Sequence, residues 1–507
     1  MNPAIRRLCG ACLVLSIATI GANGRADEFA ARVSDTASPL PVEISLSIEA
    51  AVLGGLENSP DLHIRKLQPE VLGAFEQLAR GTFGPEVSAD FEYGREESSE
   101  VSRSTEDQFS VTGSDISGSA GIRQTLPTGT TVETTVGVTR AESSRTPTQN
   151  QTRVGVDLTQ QLLRGLSPRV NLAEIRLAEL DTRADRYELT AFAEALVASI
   201  ETAYWRYVGA VEAVVAVEQA LAAAEAQLAV VETRIEVGAL PENERALASA
   251  EVAVRKQSLI DAVALRDAAR YRLLGAVYFN RPIHRVETLH AVTAPRTPEV
   301  ISVNAESSIS LALQSRPELA EASLRIDQGN LQVEVTRNGL LPKLELFIGV
   351  GKSGYAESFS GSIADVAGPN YDFNAGLRLR HLLGNRAAKA KQRIALAERN
   401  QAEEALLNLK SVIRTDVLLA VTEVKRAHAQ VAATALSVRF REQTLEAAQA
   451  KFEAGAGTML AVTLAERDLL ESRIEKIKAE AAYRIAETAQ YLAEGTLLKR
   501  RGLSVMP

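Results

Sequence analysis

The chain has 507 residues, 46% of them apolar and 5% aromatic, with a formal net charge of −8. Its length allows two or three domains, and the scarcity of aromatics argues against a dense aromatic core. The acidic balance argues against nucleic-acid binding, and the five histidines, His63, His284, His290, His381 and His428, show no metal-ligand spacing.

Arg6 and Arg7 precede an apolar run from Leu8 to Ile20, and small residues then lead to Ala26 before Asp27. Residues 1–26 therefore read as a secretory signal peptide, since the run is shorter than the ~20 residues of a spanning helix. Both cysteines, Cys9 and Cys12, fall in this leader. Its removal takes away Arg6, Arg7 and Arg25 and leaves an acidic chain of net charge −11 without thiols. Beyond the leader no apolar run of spanning length is expected, so a membrane crossing would have to be a β-barrel.

The first repeat is predicted over residues 27–275. It opens with a short helix near 60–82, followed by strands within about 86–160. "EVSADFEY" places Val87, Ala89, Phe91 and Tyr93 on one face and Glu86, Ser88, Asp90 and Glu92 on the other. "GIRQTLPTGTTVETTVGV" (121–138) reads as a further hairpin turning at Pro127–Thr130, with its place in the fold left open. "RVGVDLTQ" alternates through Val154, Val156 and Leu158. A long helix follows over about 168–237, begun by Ser167-Pro168. Its heptad seam runs Ile200, Tyr207, Val214, Leu221, Leu228, Ile235, with Ala203, Ala210, Val217, Ala224 and Val231 as companions. A tip at 238–241 turns the chain into a helper helix over 242–275.

Residues 276–306 read as an inter-repeat linker. The second repeat, 307–495, has a helix at 317–340 and strands within about 343–380. There Leu344, Leu346, Ile348 and Val350 alternate, as do Phe373, Ala375, Leu377 and Leu379. A long helix over about 385–454 begins at Asn385, a tip follows at 455–458, and a helix covers 459–495 before the tail 496–507. The seam of this second helix, Val417, Val424, Val431, Val438, Leu445 and Phe452, lies 217 residues after the first throughout. Gly455 lies the same distance after Gly238. The chain is an internal duplication.

Each long helix would reach roughly 105 Å, too long for a compact domain. The dyad strands suit a lipid-facing barrel with a wet lumen, or a half-buried soluble sheet. Two strands per repeat give four per chain, fewer than the about eight a barrel needs, so copies must pool them.

The order and duplication of these features resemble the TolC-like outer membrane efflux channel family over nearly the whole exported chain. Carrying the resemblance are Asn58-Ser59-Pro60 with Arg316-Pro317-Glu318-Leu319, "AYW" at Ala203–Trp205, and "QQLLRG" (160–165) with "RHLLGN" (380–385). The paired "EVGA" and "EAGA" tips complete the set. The resemblance implies a mainly α fold with β: a two-repeat protomer of a trimeric 12-stranded outer membrane β-barrel, continued by a long periplasmic α-helical coiled-coil barrel. Residues 276–306 and the tail would lie around its equator.

It also implies that Val237, Gly238, Ala239, Ala454, Gly455 and Ala456 form helix-tip turns that dock a periplasmic adaptor protein serving an inner-membrane transporter. Family members with an acidic constriction carry carboxylates six and nine residues after the second tip glycine. Here those positions are Ala461 and Leu464. The candidate gate is therefore either acidic, at Glu242 and Glu244, or apolar, at Met459, Leu460 and Leu464; solvated helix-start glutamates are the plainer reading of the first pair. No nucleophile motif or phosphate-binding loop is found, and no cofactor or enzymatic activity is expected. The expected function is a passive outer membrane duct with a pump, an adaptor and outer membrane lipid as partners. The alternative is an exported periplasmic coiled-coil scaffold or adaptor.

Overall fold

The computed structural model describes residues 43–504 apart from 102–107, 280, 287 and 300. The leader, with Cys9 and Cys12, lies outside the described residues. β1 (Glu43–Leu46) leads into α1 (Ile48–Asn58) and α2 (Pro60–Gly81). Four strands follow: β2 (Glu86–Val101), β3 (Gln108–Thr125), β4 (Thr130–Ser143) and β5 (Gln149–Gln161). A helical turn at Pro168–Asn171 precedes the long α3 (Ala173–Glu236), and α4 (Asn243–Val277) runs back beside it. After β6 (Thr288–Ala291) the plan recurs with α5 (Ala305–Ser315), α6 (Pro317–Asn338), β7 (Lys343–Ala356) and the short α7 (Phe359–Asp365). β8 (Tyr371–Arg380), the long α8 (Arg386–Glu453) and α9 (Met459–Ala493) complete it, with a last turn at Leu497–Arg500.

The long helices have 64 and 68 residues, about 96 and 102 Å at 1.5 Å per residue. Their starts differ from the expected side-chain caps. Ser167 makes no capping bond, and Asn385 takes a left-handed φ of 39° while its amide donates to the Leu340 carbonyl at 3.3 Å. Among the helix starts, Ser59 is a true cap, accepting from Leu62 N at 3.3 Å before Pro60.

The heptad seams do the packing. Ile200, Tyr207, Val214, Val217, Ala224 and Val231 on α3 are buried, as are Val417, Val424 and Phe452 on α8. In one half of the molecule α2, α3, α6 and α8 lie side by side in that order. In the other half the order is α4, α3, α9, α8. The long helices thus run throughout while the shorter ones stack end to end, leaving α2/α4 and α8 as outer edges.

One expectation is corrected here. α3 contains an 18-residue window of mean hydropathy 1.5, long and apolar enough to cross a membrane by composition. Alanine and valine of the close-packed seam raise that mean, and the helix lies against α4 and α9.

The expected four strands per chain are also corrected. β2, β3, β4, β5, β7 and β8 form one six-stranded antiparallel sheet in that order. The 108–143 hairpin sits between β2 and β5. Its outward face in β3, Ile116, Gly118, Ala120 and Ile122, is broken by glycine and alanine, which weakens the alternation a sequence can display.

Halfway along α3 the first and last described segments converge with the linker. Ile44 and Leu46 of β1, which pairs in parallel with β6, join Leu273, Leu274, Val277, Leu289, Leu497 and Leu498 around the buried Tyr204 and Trp205. The two rings meet edge-on at 5.3 Å, so this pair is packing. Glu194, 5% exposed in the same region, has its carboxyl pushed up to about 7, chiefly by burial, against an opposing bond from the Leu498 amide.

A raised carboxylate contributes stability below its unfolded value that is lost as pH rises through the folded value, here from about 4.5 to about 7. Glu194→Gln is therefore expected to raise the unfolding temperature relative to wild type more at pH 8 than at pH 5. Equal shifts at both pH values, measured by thermal unfolding, would contradict this.

Candidate functional site

At the end of the rods opposite the sheet, both hairpins turn by the same bond pattern. Gly238 N donates to Ile235 O at 2.9 Å and Ala239 N to Arg234 O at 2.8 Å. Gly455 N donates to Phe452 O at 3.1 Å and Ala456 N to Lys451 O at 2.9 Å. This is the Schellman closure, which needs a left-handed residue after the helix. Gly238 and Gly455 supply it with φ of 75° and 73°. A Cβ on either would meet no atom within 4 Å, so backbone conformation alone requires glycine there.

The two tips stand together. Phe452 and Met459 pack with Val231, Ala248 and Val462 in one buried cluster. The Arg234 guanidinium lies over the Phe452 ring at 5.1 Å, and Gln227 Nε2 approaches Met459 Sδ at 3.3 Å. Outside this seal Val237, Gly238, Ala239, Ala454, Gly455 and Ala456 are all exposed, forming a double knuckle of small side chains. Exposed Glu236 directly precedes the first knuckle, and exposed Lys451 and Glu453 precede the second, so the tips offer a partner a small apolar apex flanked by charge.

The candidate gate residues do not act as one group. Met459 is 2% exposed and faces the tip interior, because its helical phase puts it with Phe452 and Val462. It is not available to a channel surface. Leu460 and Leu464, four residues apart on α9, are exposed on one face. Glu242 pairs with Arg245, and Glu244 is half-buried at the start of α4. Among the described residues no group of three or more His, Cys, Asp or Glu is placed to hold a metal ion.

The sequence reading missed an ionic lock at mid-length. The Glu201 carboxylate, 0% exposed, accepts from Arg501 Nε at 2.6 Å, Arg501 Nη2 at 2.8 Å and Thr488 Oγ1 at 2.6 Å. Nearby, Glu494 accepts from Ser308, Gln490 and Arg500 at 2.7, 2.8 and 3.0 Å. Nothing local to Glu201 in the sequence signals a partner 300 residues away.

Residues 308–496 match the outer membrane efflux protein family. The pyoverdine export outer membrane protein OpmQ of Pseudomonas putida is 26% identical over 282 residues, which covers 54% of this chain and 56% of that relative. The chain thus spans little more than half the length of that protein. In structure it resembles a membrane protein from Pseudomonas aeruginosa (TM-score 0.64, 19% identity, 88% of this chain and 93% of that one). It likewise resembles the CmeC outer membrane channel of Campylobacter jejuni (TM-score 0.65, 15% identity, 90% of each chain). These likenesses show that most of the chain shares the fold of those two proteins.

Proposed function

We propose that this chain, which belongs to the outer membrane efflux protein family, is the outer membrane channel of a tripartite export system. It would passively conduct cargo from an inner-membrane transporter and its periplasmic adaptor to the exterior. The observation that carries this reading is the sheet. Val87, Phe91, Val156, Val350, Phe373 and Leu377 all point out of one face and are exposed. Such a face belongs against lipid tails rather than water. Arg153, paired with Asp372 at 2.7 Å, and Asp157 line the other face, as a wet lumen requires. A soluble scaffold would leave the apolar face without a role.

The rods support assembly into a homotrimer. α2 exposes Ile64, Leu67, Val71, Phe75 and Leu78 along one stripe, and α8 exposes Leu407, Leu418, Leu436 and Phe440. These are the outer edges of the helical layer, where a second and third copy would bury them and close a tunnel about 100 Å long. The small-residue knuckles of Gly238 and Gly455 then face the adaptor, with Leu460 and Leu464 as the candidate apolar gate just behind them. The likeness to a pyoverdine export protein supports outward transport.

The test is fractionation. The protein is expected in outer membranes, migrating differently on gels before and after heating, and its deletion should sensitise cells to the exported compound. Recovery in the soluble periplasm would contradict the reading.

A further inference from the structure

The hairpin β3–β4 lies inside the sheet, between β2 and β5. From its place in the sheet we infer that each copy contributes six strands to the barrel, so that three copies close an eighteen-stranded ring rather than a twelve-stranded one. This inference rests on the channel reading above and adds to it the dimensions of the membrane section.

The ladder is unbroken from β2 to β8, and its register keeps the two faces separate across the hairpin. One row runs Val87, Ile122, Thr134, Val156, Val350, Phe373; the next runs Glu86, Arg123, Glu133, Asp157, Gly349, Asn374. The first row is apolar apart from Thr134, and the second is polar or glycine. β3 and β4 therefore place their residues toward lipid and lumen by the same rule as the strands on either side. A loop decoration standing above the membrane would have no reason to hold that phase.

The hairpin turn is also built into the helix-side rim. Asn171, at the start of the long-helix segment, donates to the Pro127 carbonyl at 2.8 Å and to the Gly165 carbonyl at 2.7 Å. Gln160 Nε2 donates to Thr128 O at 3.1 Å. Gly129 has a φ of +76°, and a Cβ there would stand 2.2 Å from the Gly165 carbonyl oxygen. The turn is thus seated against the junction where the neighbouring strand leaves for the helices.

The occupant of the free edges is a second copy of this chain. β2 runs away from the helices and β8 returns to them, so β8 of one copy meets β2 of the next antiparallel. An even number of strands per copy closes the ring without a parallel seam. Because barrel diameter grows roughly in proportion to strand number, the ring would be about half as wide again as a twelve-stranded one. In the size range of eighteen strands a barrel leaves an open aqueous channel. Passage would then be limited at the helical tips and not at the membrane.

The test uses single cysteines in the full-length protein, reconstituted in brominated lipid and labelled with a fluorophore. The residues described contain no native thiol, since both cysteines lie at 9 and 12. Val136→Cys and Ile122→Cys are expected to be quenched by the lipid, and Thr135→Cys and Ser119→Cys by aqueous iodide instead. Val156→Cys and Phe373→Cys, on β5 and β8, serve as references, and native mass spectrometry counts the copies.

If the references are quenched by lipid while positions 136 and 122 respond to iodide alone, the hairpin lies outside the barrel. The six-strand inference then fails and the channel reading survives. If the references also ignore the lipid, the channel reading fails and takes this inference with it. A copy number other than three overturns the count of eighteen.

Discussion

Replacing Arg501 by alanine is expected to destabilise the protein by about 3–5 kcal/mol, because it leaves the Glu201 carboxylate buried without its cation. Glu201 is fully enclosed and receives two of its three side-chain bonds from Arg501. Burial of the guanidinium is offset by that same pairing, which also raises the Arg501 pKa. The loss should be read by denaturant unfolding of the detergent-solubilised protein. The double variant Glu201→Leu with Arg501→Met provides the control, since removing both partners of a buried pair costs far less than removing one. A single variant as stable as wild type would show that the lock contributes nothing. The lock ties the tail to α3 and, through Thr488, to α9, so its loss should loosen the middle of the rods before either end.

Valine at Gly238 and Gly455 together is expected to abolish export while leaving the protein in the membrane. A left-handed conformation costs an ordinary L-residue about 1–2 kcal/mol, and a β-branched side chain fits it worst. Cavity contacts do not add to this, since the space around both positions is open. The sheet and the mid-length cluster lie at a distance from the tips, so barrel insertion should persist while the knuckles rearrange. The measurement is compound susceptibility against outer membrane protein level. Normal export by the double variant would remove the tips from the account.

Much of this fold was legible because it repeats. The heptad seam from Ile200 to Ile235 and its copy from Val417 to Phe452 gave both rods, and a glycine beyond each gave the turns. Strands were legible where apolar alternation is strong, as at Val87–Tyr93 and Phe373–Leu379. They were only half legible at β3, where Gly118 and Ala120 take outward positions that a packed soluble sheet would fill with larger residues. A face set against lipid, as proposed for this sheet, tolerates small residues, so the pattern would lose contrast without losing its meaning. The pairing of Glu201 with Arg501 was hidden by sequence distance. Met459 was misplaced because adjacent helical residues point about 100° apart, and a run such as Met459-Leu460 cannot reveal which member faces inward.

The most direct test of the whole account is imaging of the purified protein in lipid nanodiscs. Three copies should share one belt of lipid around the sheet, with a rod about 100 Å long projecting from a single side of the disc. A lone chain, free of lipid, whose sheet is covered by its own helices would contradict it.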